Sequence, residues 1–378
     1  MKTLQLTRKN NQDWTYLSEK VDLKKPLVLV FGNRYLLEDK NLYKEIRDLF
    51  PDGELVFGST SGDIALDTVN EESITITAIE FEKSTFVIKT SNILDANQDS
   101  FETGKTLVSQ LPQEDLKFVF VVSEGSFTNG SELTRGMDSV RNDDTIITGG
   151  LCGDDDRFES TLASYNENPK KGEVVAIGLY GDTLEISFSI KGGWTPFGPE
   201  RIVTKSDGNI LHELDNKPAL DLYKTYLGEE KSKQLPSAAL MYPLNVQVEQ
   251  EKHSFVRTVL NIDEDTNTMT LAGDIPQNSK VQLMMTNVDH IANSTEIAAR
   301  EAINSRKKAP ELAILMSCIG RKLVLDQRVE EEVEEIVEVI GDEVTVAGFY
   351  SYGEIAPFYG LMSCQLHNQT MTITLISE

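Results

Sequence analysis

Apolar and polar positions follow two regimes along this chain of 378 residues. Short, nearly uninterrupted apolar runs read as strands buried on both faces: PLVLVFG ending at Gly32, KFVFVVSEG ending at Gly125 and LAILMSCIG ending at Gly320. An amphipathic stretch follows each run. Its apolar positions are Leu42, Ile46, Leu49 and Phe50 in the first copy, Leu133, Met137 and Val140 in the second, and Val329, Val333, Ile336, Val337 and Ile340 in the third. That spacing places each set on one face of a helix. A second apolar strand then ends in a glycine-bearing turn, GSTSGD at 58–63, GGLCGD at 149–154 and GFYSYGE at 348–354, with a hairpin expected after it. The repeated unit reads strand, helix, strand, glycine turn, two strands. Residues 85–111 and 281–305, each strand, turn and helix, extend the likeness upstream and lead into the next unit's first strand.

The first two units fill roughly residues 25–190, with EVVAIGLYGD and TLEISFSIKGGW closing the second. Beyond the Gly/Pro-rich GGWTPFGPE, a helix is expected with Pro218 in its first turn, Leu222, Tyr223, Tyr226 and Leu227 on one face, and Gly228 as its stop. A hairpin of FVRTVLNID against NTMTLAGDIP precedes the third unit. A new core begins near 205–215, so the expected organisation is an extension over 1–24 and domains over 25–210 and 211–378. Strands joined by tight turns accompany the strand-helix alternation, which predicts an α+β fold of mixed β-sheets flanked by helices.

Composition narrows the function. With 39% apolar and 26% charged residues the chain is globular, and its net charge of −25 repels phosphate backbones and anionic lipid. Neither nucleic acid nor membrane is an expected partner. The opening MKTLQLTRKNNQDW lacks a signal-peptide core and no apolar run reaches about 18 residues, so the expected location is cytoplasmic. Cys152, Cys318 and Cys364 form no CxxC pair, and His212, His253, His290 and His367 fall in no ligand motif. No metal or cofactor is expected from these spacings.

Candidate chemistry gathers at the turns. In GGLCGDDDRF, Asp154 and Asp155 either bond their own backbone or present carboxylates at strand ends beside Cys152, and three consecutive aspartates exceed what a turn requires. Cys318, at a strand-to-helix junction beside Arg321, is either a small buried side chain or a thiol activated by the helix terminus. Arg321 suits a ligand carboxylate, its alternative being an internal salt bridge. Tyr350, Tyr352 and Glu354 surround the third turn and either wall a pocket or fill the core beneath. The glutamates of EEEVEEIVEVIG read as a solvated helix face, and His367 as a hydrogen-bonded structural residue. No GxSxG elbow occurs and no histidine sits in a base-like motif, so catalysis is not expected.

With GGLCGDDDRFEST, GGWTPFGP, ELDNKPALDLYKTYLG, MSCIGRK and GFYSYGEIAP followed by HNQTMTITLISE, the chain resembles the FIST family from about residue 25 onward, a FIST N-terminal domain followed by a FIST C-terminal domain. The resemblance implies a sensory, ligand-binding module of signal transduction that recognises small molecules such as amino acids. Arg321 for a carboxylate and Asp154, Asp155 or Glu354 for an amine match the two ends of a zwitterion. Some bacterial members of the family resemble haem-bound nitric-oxide sensors that work with histidine kinases, which keeps haem as an alternative; a cysteine enzyme using Cys318 is another. No kinase, chemoreceptor, cyclase or F-box segment is present in the sequence, so output is expected through a separate signalling protein or self-association.

Overall fold

Each apolar run becomes the centre of a six-stranded mixed sheet in the computed structural model, which describes residues 1–10, 12–248, 253–358 and 362–378. In the first sheet Leu27–Gly32 runs parallel to Glu54–Ser59. Leu116–Ser123 and Ile146–Leu151 form the same pair in the second, and Leu312–Cys318 and Thr345–Ser351 in the third. Parallel neighbours need a crossover, supplied here by helices that include Leu42–Leu49, Gly130–Asp138 and Glu331–Ile340. On the other side of each pair lies an antiparallel strand, Ser73–Glu80, Glu173–Tyr180 or Met371–Ser377. The fold is α+β, as the mixed pattern predicts.

Strand alternation sorts the side chains into two layers. Leu29 and Phe31, Phe120 and Val122, and Ile314 and Met316 enter one core shared by all three sheets, where the Phe31 and Phe349 rings lie 4.7 Å apart. Their alternates Val28 and Val30, Val119 and Val121, and Ala313 and Leu315 pack beneath the outer helices. Three sheets thus ring a common core. Burial on both faces is why the runs carry almost no polar residue.

A hairpin follows the first and third glycine turns as expected, Asp63–Ala65 with Thr68–Asn70 and Gly353–Pro357 with Cys364–His367. What the pattern does not foresee is that the chain leaves its sheet at each turn and joins another. Asp63–Ala65 pairs with Thr345–Ser351 of the third sheet, Gly353–Pro357 with Ile146–Leu151 of the second, and Ala163–Tyr165 with Glu54–Ser59 of the first. The exchange closes on itself. Equivalent backbone bonds lock it: Ser61 N–H to Tyr350 O at 2.9 Å, Tyr352 N–H to Leu151 O at 3.0 Å, and Gly153 N–H to Ser59 O at 2.9 Å.

Other boundaries shift as well. A strand at Lys2–Lys9 pairs with Ser73–Glu80, so the first strand precedes residue 25. Glu185–Lys191 does not close the second unit; it joins the third sheet beside Met371–Ser377. It therefore holds the place there that Thr85–Asn92 holds beside Glu173–Tyr180. Lys280–Met285, aligned with Thr85–Asn92 by pattern alone, belongs instead to a fourth sheet of eight antiparallel strands. That sheet, together with the helix Ala219–Ser232, is inserted between Glu185–Lys191 and the helix Val288–Asn304. It has its own core, including Val203, Leu211, Tyr223, Met269 and Val281, and residue 210 falls within it. Gly228, at φ +78°, interrupts the helix as its sequence position predicts. The hairpin Val259–Asp263 against Thr268–Leu271 also forms as read.

Candidate ligand-binding cleft

Where the ring meets the inserted sheet, a cleft of about 920 Å³ opens. The ring contributes the loop 125–129, Leu151, the segment Asp156–Phe158, Tyr352 and Leu323; the inserted sheet contributes Asn209, residues 236–241 in part, Leu260, Asn261 and residues 270–273. Five of its side chains, Phe127, Phe158, Met241, Leu260 and Leu323, are large apolar groups exposed by 37 to 39%. Apolar side chains left in water and facing one another across a concavity mark a binding surface.

The ring side is held rigid by buried acids. Glu124, at the end of Leu116–Ser123, is fully buried and accepts from the backbone N–H of Ser126 and of Phe127, both at 2.9 Å, and from the Thr128 hydroxyl at 2.7 Å. This fixes the loop that presents Phe127 and Asn129. The second turn is longer than its two counterparts, because residues 154–162 intervene before the exchanged strand. Asp154, fully buried, organises that excursion: Arg34 Nε donates to its Oδ1 at 2.9 Å and Arg157 Nε at 3.0 Å. Asp155 takes Arg157 Nη2 at 2.7 Å and Asn33 Nδ2 at 3.1 Å. Asp154 and Asp155 are therefore structural. What they present to the cleft is Asp156, Arg157 and Phe158.

Of the eight residues proposed from sequence, only Tyr352 lines the cleft. Its ring stacks on Phe158 at 4.5 Å, and its hydroxyl donates to Asp155 O and accepts from Phe158 N–H. Cys152 and Cys318 are buried, and burial pushes both thiols well above their ordinary range, which favours the buried side chain over the activated thiol as the reading of Cys318. Arg321 is fully buried and commits Nε and Nη2 to Glu332 Oε2 at 2.9 and 2.7 Å, Nη2 also to Thr295 Oγ1 at 2.7 Å, and Nη1 to Gly192 O. It is not available to a ligand carboxylate. Its partner corrects another expectation, since Glu332, read as part of a solvated face, is wholly buried and also accepts from Ser317 Oγ at 2.8 Å and from the Tyr350 hydroxyl. Tyr350 thus belongs to this core cluster. The third turn's acid, Glu354, lies in the interior, bonded to Ser351 Oγ and Thr370 Oγ1 at 2.7 Å each.

Burial without a committed cation pushes the Glu354 carboxyl up to about 8, and its counterpart after the first turn, Asp63, up to about 6. A carboxyl whose folded pKa exceeds its unfolded 4.5 stabilises the fold fully below that value, and the contribution is lost as pH rises through about 8. Between pH 7 and 9 the Glu354 contribution should fall by about 1.4 kcal/mol. Denaturant unfolding at the two pH values should show that loss in the parent and its absence in Glu354→Gln, which keeps the neutral shape; an equal loss in both would remove the assignment.

Among the described residues lining the cleft there is neither a histidine nor a cysteine, and His367 is buried, held by its Nε2 to Ala356 O at 3.0 Å, with its pKa lowered to about 4 by burial. No helix among the described residues is long and apolar enough to cross a membrane.

The FIST N domain matches residues 26–217 and the FIST C domain residues 219–357. The chain is 24% identical over 377 residues to an uncharacterised protein of Methanocaldococcus jannaschii, covering 86% of this chain and 69% of that protein. It is 25% identical over 243 residues to one from Mycobacterium tuberculosis and 21% identical over 242 residues to one from Mycobacterium bovis; each match covers 62% of this chain and 61% of the relative. Among solved structures, a putative 2,3-dihydroxybenzoate-specific isochorismate synthase from Bacillus anthracis aligns over 99% of this chain and 89% of its own with 10% identity and a TM-score of 0.15, too low to carry fold or function. On its two domain matches, which together cover most of the three-sheet ring and the inserted sheet, the chain belongs to the FIST family.

Proposed function

We propose that this protein is a sensory module of signal transduction that binds a small molecule in the cleft between the sheet ring and the inserted sheet. FIST domains are small-ligand sensory modules. The observation that carries the reading here is the concentration of five exposed apolar side chains around one concavity of about 920 Å³, a size suited to a small-molecule ligand. The cleft also joins two separate hydrophobic cores, so a ligand touching both walls favours one relative arrangement over others, which is what a sensor must convert into a signal. Output through a separate signalling protein such as a histidine kinase, in the cytoplasm, completes the proposal.

An amino-acid-like ligand lacks the carboxylate anchor the sequence offered, because Arg321 is spent on Glu332. A thermal-shift screen of metabolites tests the reading. A ligand at a hundred times its Kd contributes about 2.7 kcal/mol, a rise of a few degrees in melting temperature. Leu260→Lys, on an exposed wall position, should abolish that rise; a rise that persists in the variant, or no rise with any metabolite, would count against the cleft.

A further inference from the structure

Resting on the cleft assigned above, we infer that its ligand is an aromatic molecule without an anionic group that bears a hydrogen-bonding group, of the phenolic or heteroaromatic class. Charge is the first argument. Among the described residues lining the cleft, Asp156 and Arg157 are the only charged ones. Arg157 already directs Nε to Asp154, and Nη2 to both Asp154 and Asp155 at 2.9 and 2.7 Å. An incoming carboxylate therefore meets a guanidinium neutralised by two aspartates, in a protein of net charge −25. Moving an ion out of water without a partner costs far more than moving a neutral group. A zwitterion would leave its anionic end unmatched.

Shape and polarity supply the second argument. Phe158 and Tyr352 form a stacked pair inclined by 19°, and Phe158 remains 39% exposed, so a further ring can extend the stack. Phe127, Met241, Leu260 and Leu323 supply apolar surface around it. Hydrogen bonding is available without charge. Asn209 spends its Nδ2 on Leu271 O, leaving its carbonyl oxygen as an acceptor, and Asn261 spends its Oδ1 on Ile262 N–H, leaving its amide as a donor. A neutral ring with a hydroxyl or ring N–H matches both.

A pair of fluorophores with related ring systems tests this on the full chain. N-phenyl-1-naphthylamine is neutral, and 8-anilinonaphthalene-1-sulfonate adds an anionic group. The neutral dye should bind saturably, should be displaced by neutral phenols or indole but not by amino acids, and should bind at least about tenfold tighter than the sulfonate. Leu260→Lys and Phe158→Ser, both at exposed positions, should each weaken the neutral dye at least about tenfold while far-UV circular dichroism stays unchanged. If the sulfonate or an amino acid binds as tightly and the same variants abolish it, the ligand class is wrong and the cleft stands. If no probe of either charge responds to the cleft variants and the metabolite screen is also silent, both inferences fall.

Discussion

Replacing Arg321 with alanine is expected to lower the unfolding free energy by about 3 to 5 kcal/mol, the range found when one member of a buried ion pair is removed. The substitution leaves Glu332 without its cation in a site with no solvent exposure, and frees the hydrogen-bonding groups of Gly192, Thr295 and Ser294. Those partners come from three places, the helix Glu331–Ile340, the helix Val288–Asn304 and the turn after Glu185–Lys191, all gathered onto the helix Ile319–Leu325 that carries Arg321. Arg321 thus fastens the third unit at the point where the inserted sheet interrupts it. Denaturant unfolding measures the loss, and Glu332→Gln should give a smaller one because amide and guanidinium can still bond. Ligand affinity, measured below the melting point, should be unchanged. A variant as stable as the parent that no longer binds ligand would restore the direct ligand role first read from the sequence.

Gly348→Ala should lose at least about 3 kcal/mol, the upper part of the cost of overpacking a core. Gly348 sits opposite Leu315 in the parallel centre of the third sheet, and a Cβ there would lie 1.9 Å from the Leu315 carbonyl oxygen. That oxygen belongs to backbone, so relief requires parting the strand pair on which Asp63–Ala65 also docks. Gly149 in the second sheet is its counterpart, 2.1 Å from Val121 O by the same construction. In the first sheet the place is held by Phe57 opposite Val30, so the requirement for glycine is local to two of the three copies. A loss below about 1 kcal/mol in chemical denaturation would contradict the close approach.

The sequence shows the strands and helices of the ring because their apolar periodicity is set by burial of whole faces, as at Val28 to Phe31 and at Leu133 and Met137. Strand exchange leaves no such trace: alternation says which face of Asp63–Ala65 is buried, and nothing about whose edge it completes. Glu332 was invisible among its neighbours for a related reason. In EEEVEEIVEVIG every acid has the same local pattern, and only Arg321, folded back from the preceding helix, singles one out. The second and third turns do border the cleft, yet through Leu151, Asp156, Arg157, Phe158 and Tyr352, while Asp154 and Asp155 hold them from behind. Residues 154–162, which in the second turn alone intervene before the exchanged strand, carry the contact residues Asp156, Arg157 and Phe158. The opposite wall, from Leu240, Met241, Leu260 and Leu271, comes from an insertion with no chemical motif, so only the assembled fold brings it into place.

The most direct test of the account is a crystal structure of the protein purified from cells and crystallised without added ligand. The account predicts unassigned density of small-molecule size within the cleft, in contact with Phe158 and Leu260. A ligand ordered beside Arg321 and Glu354 instead, with the cleft closed by contact of Leu260 and Leu323 with Phe127, would contradict it.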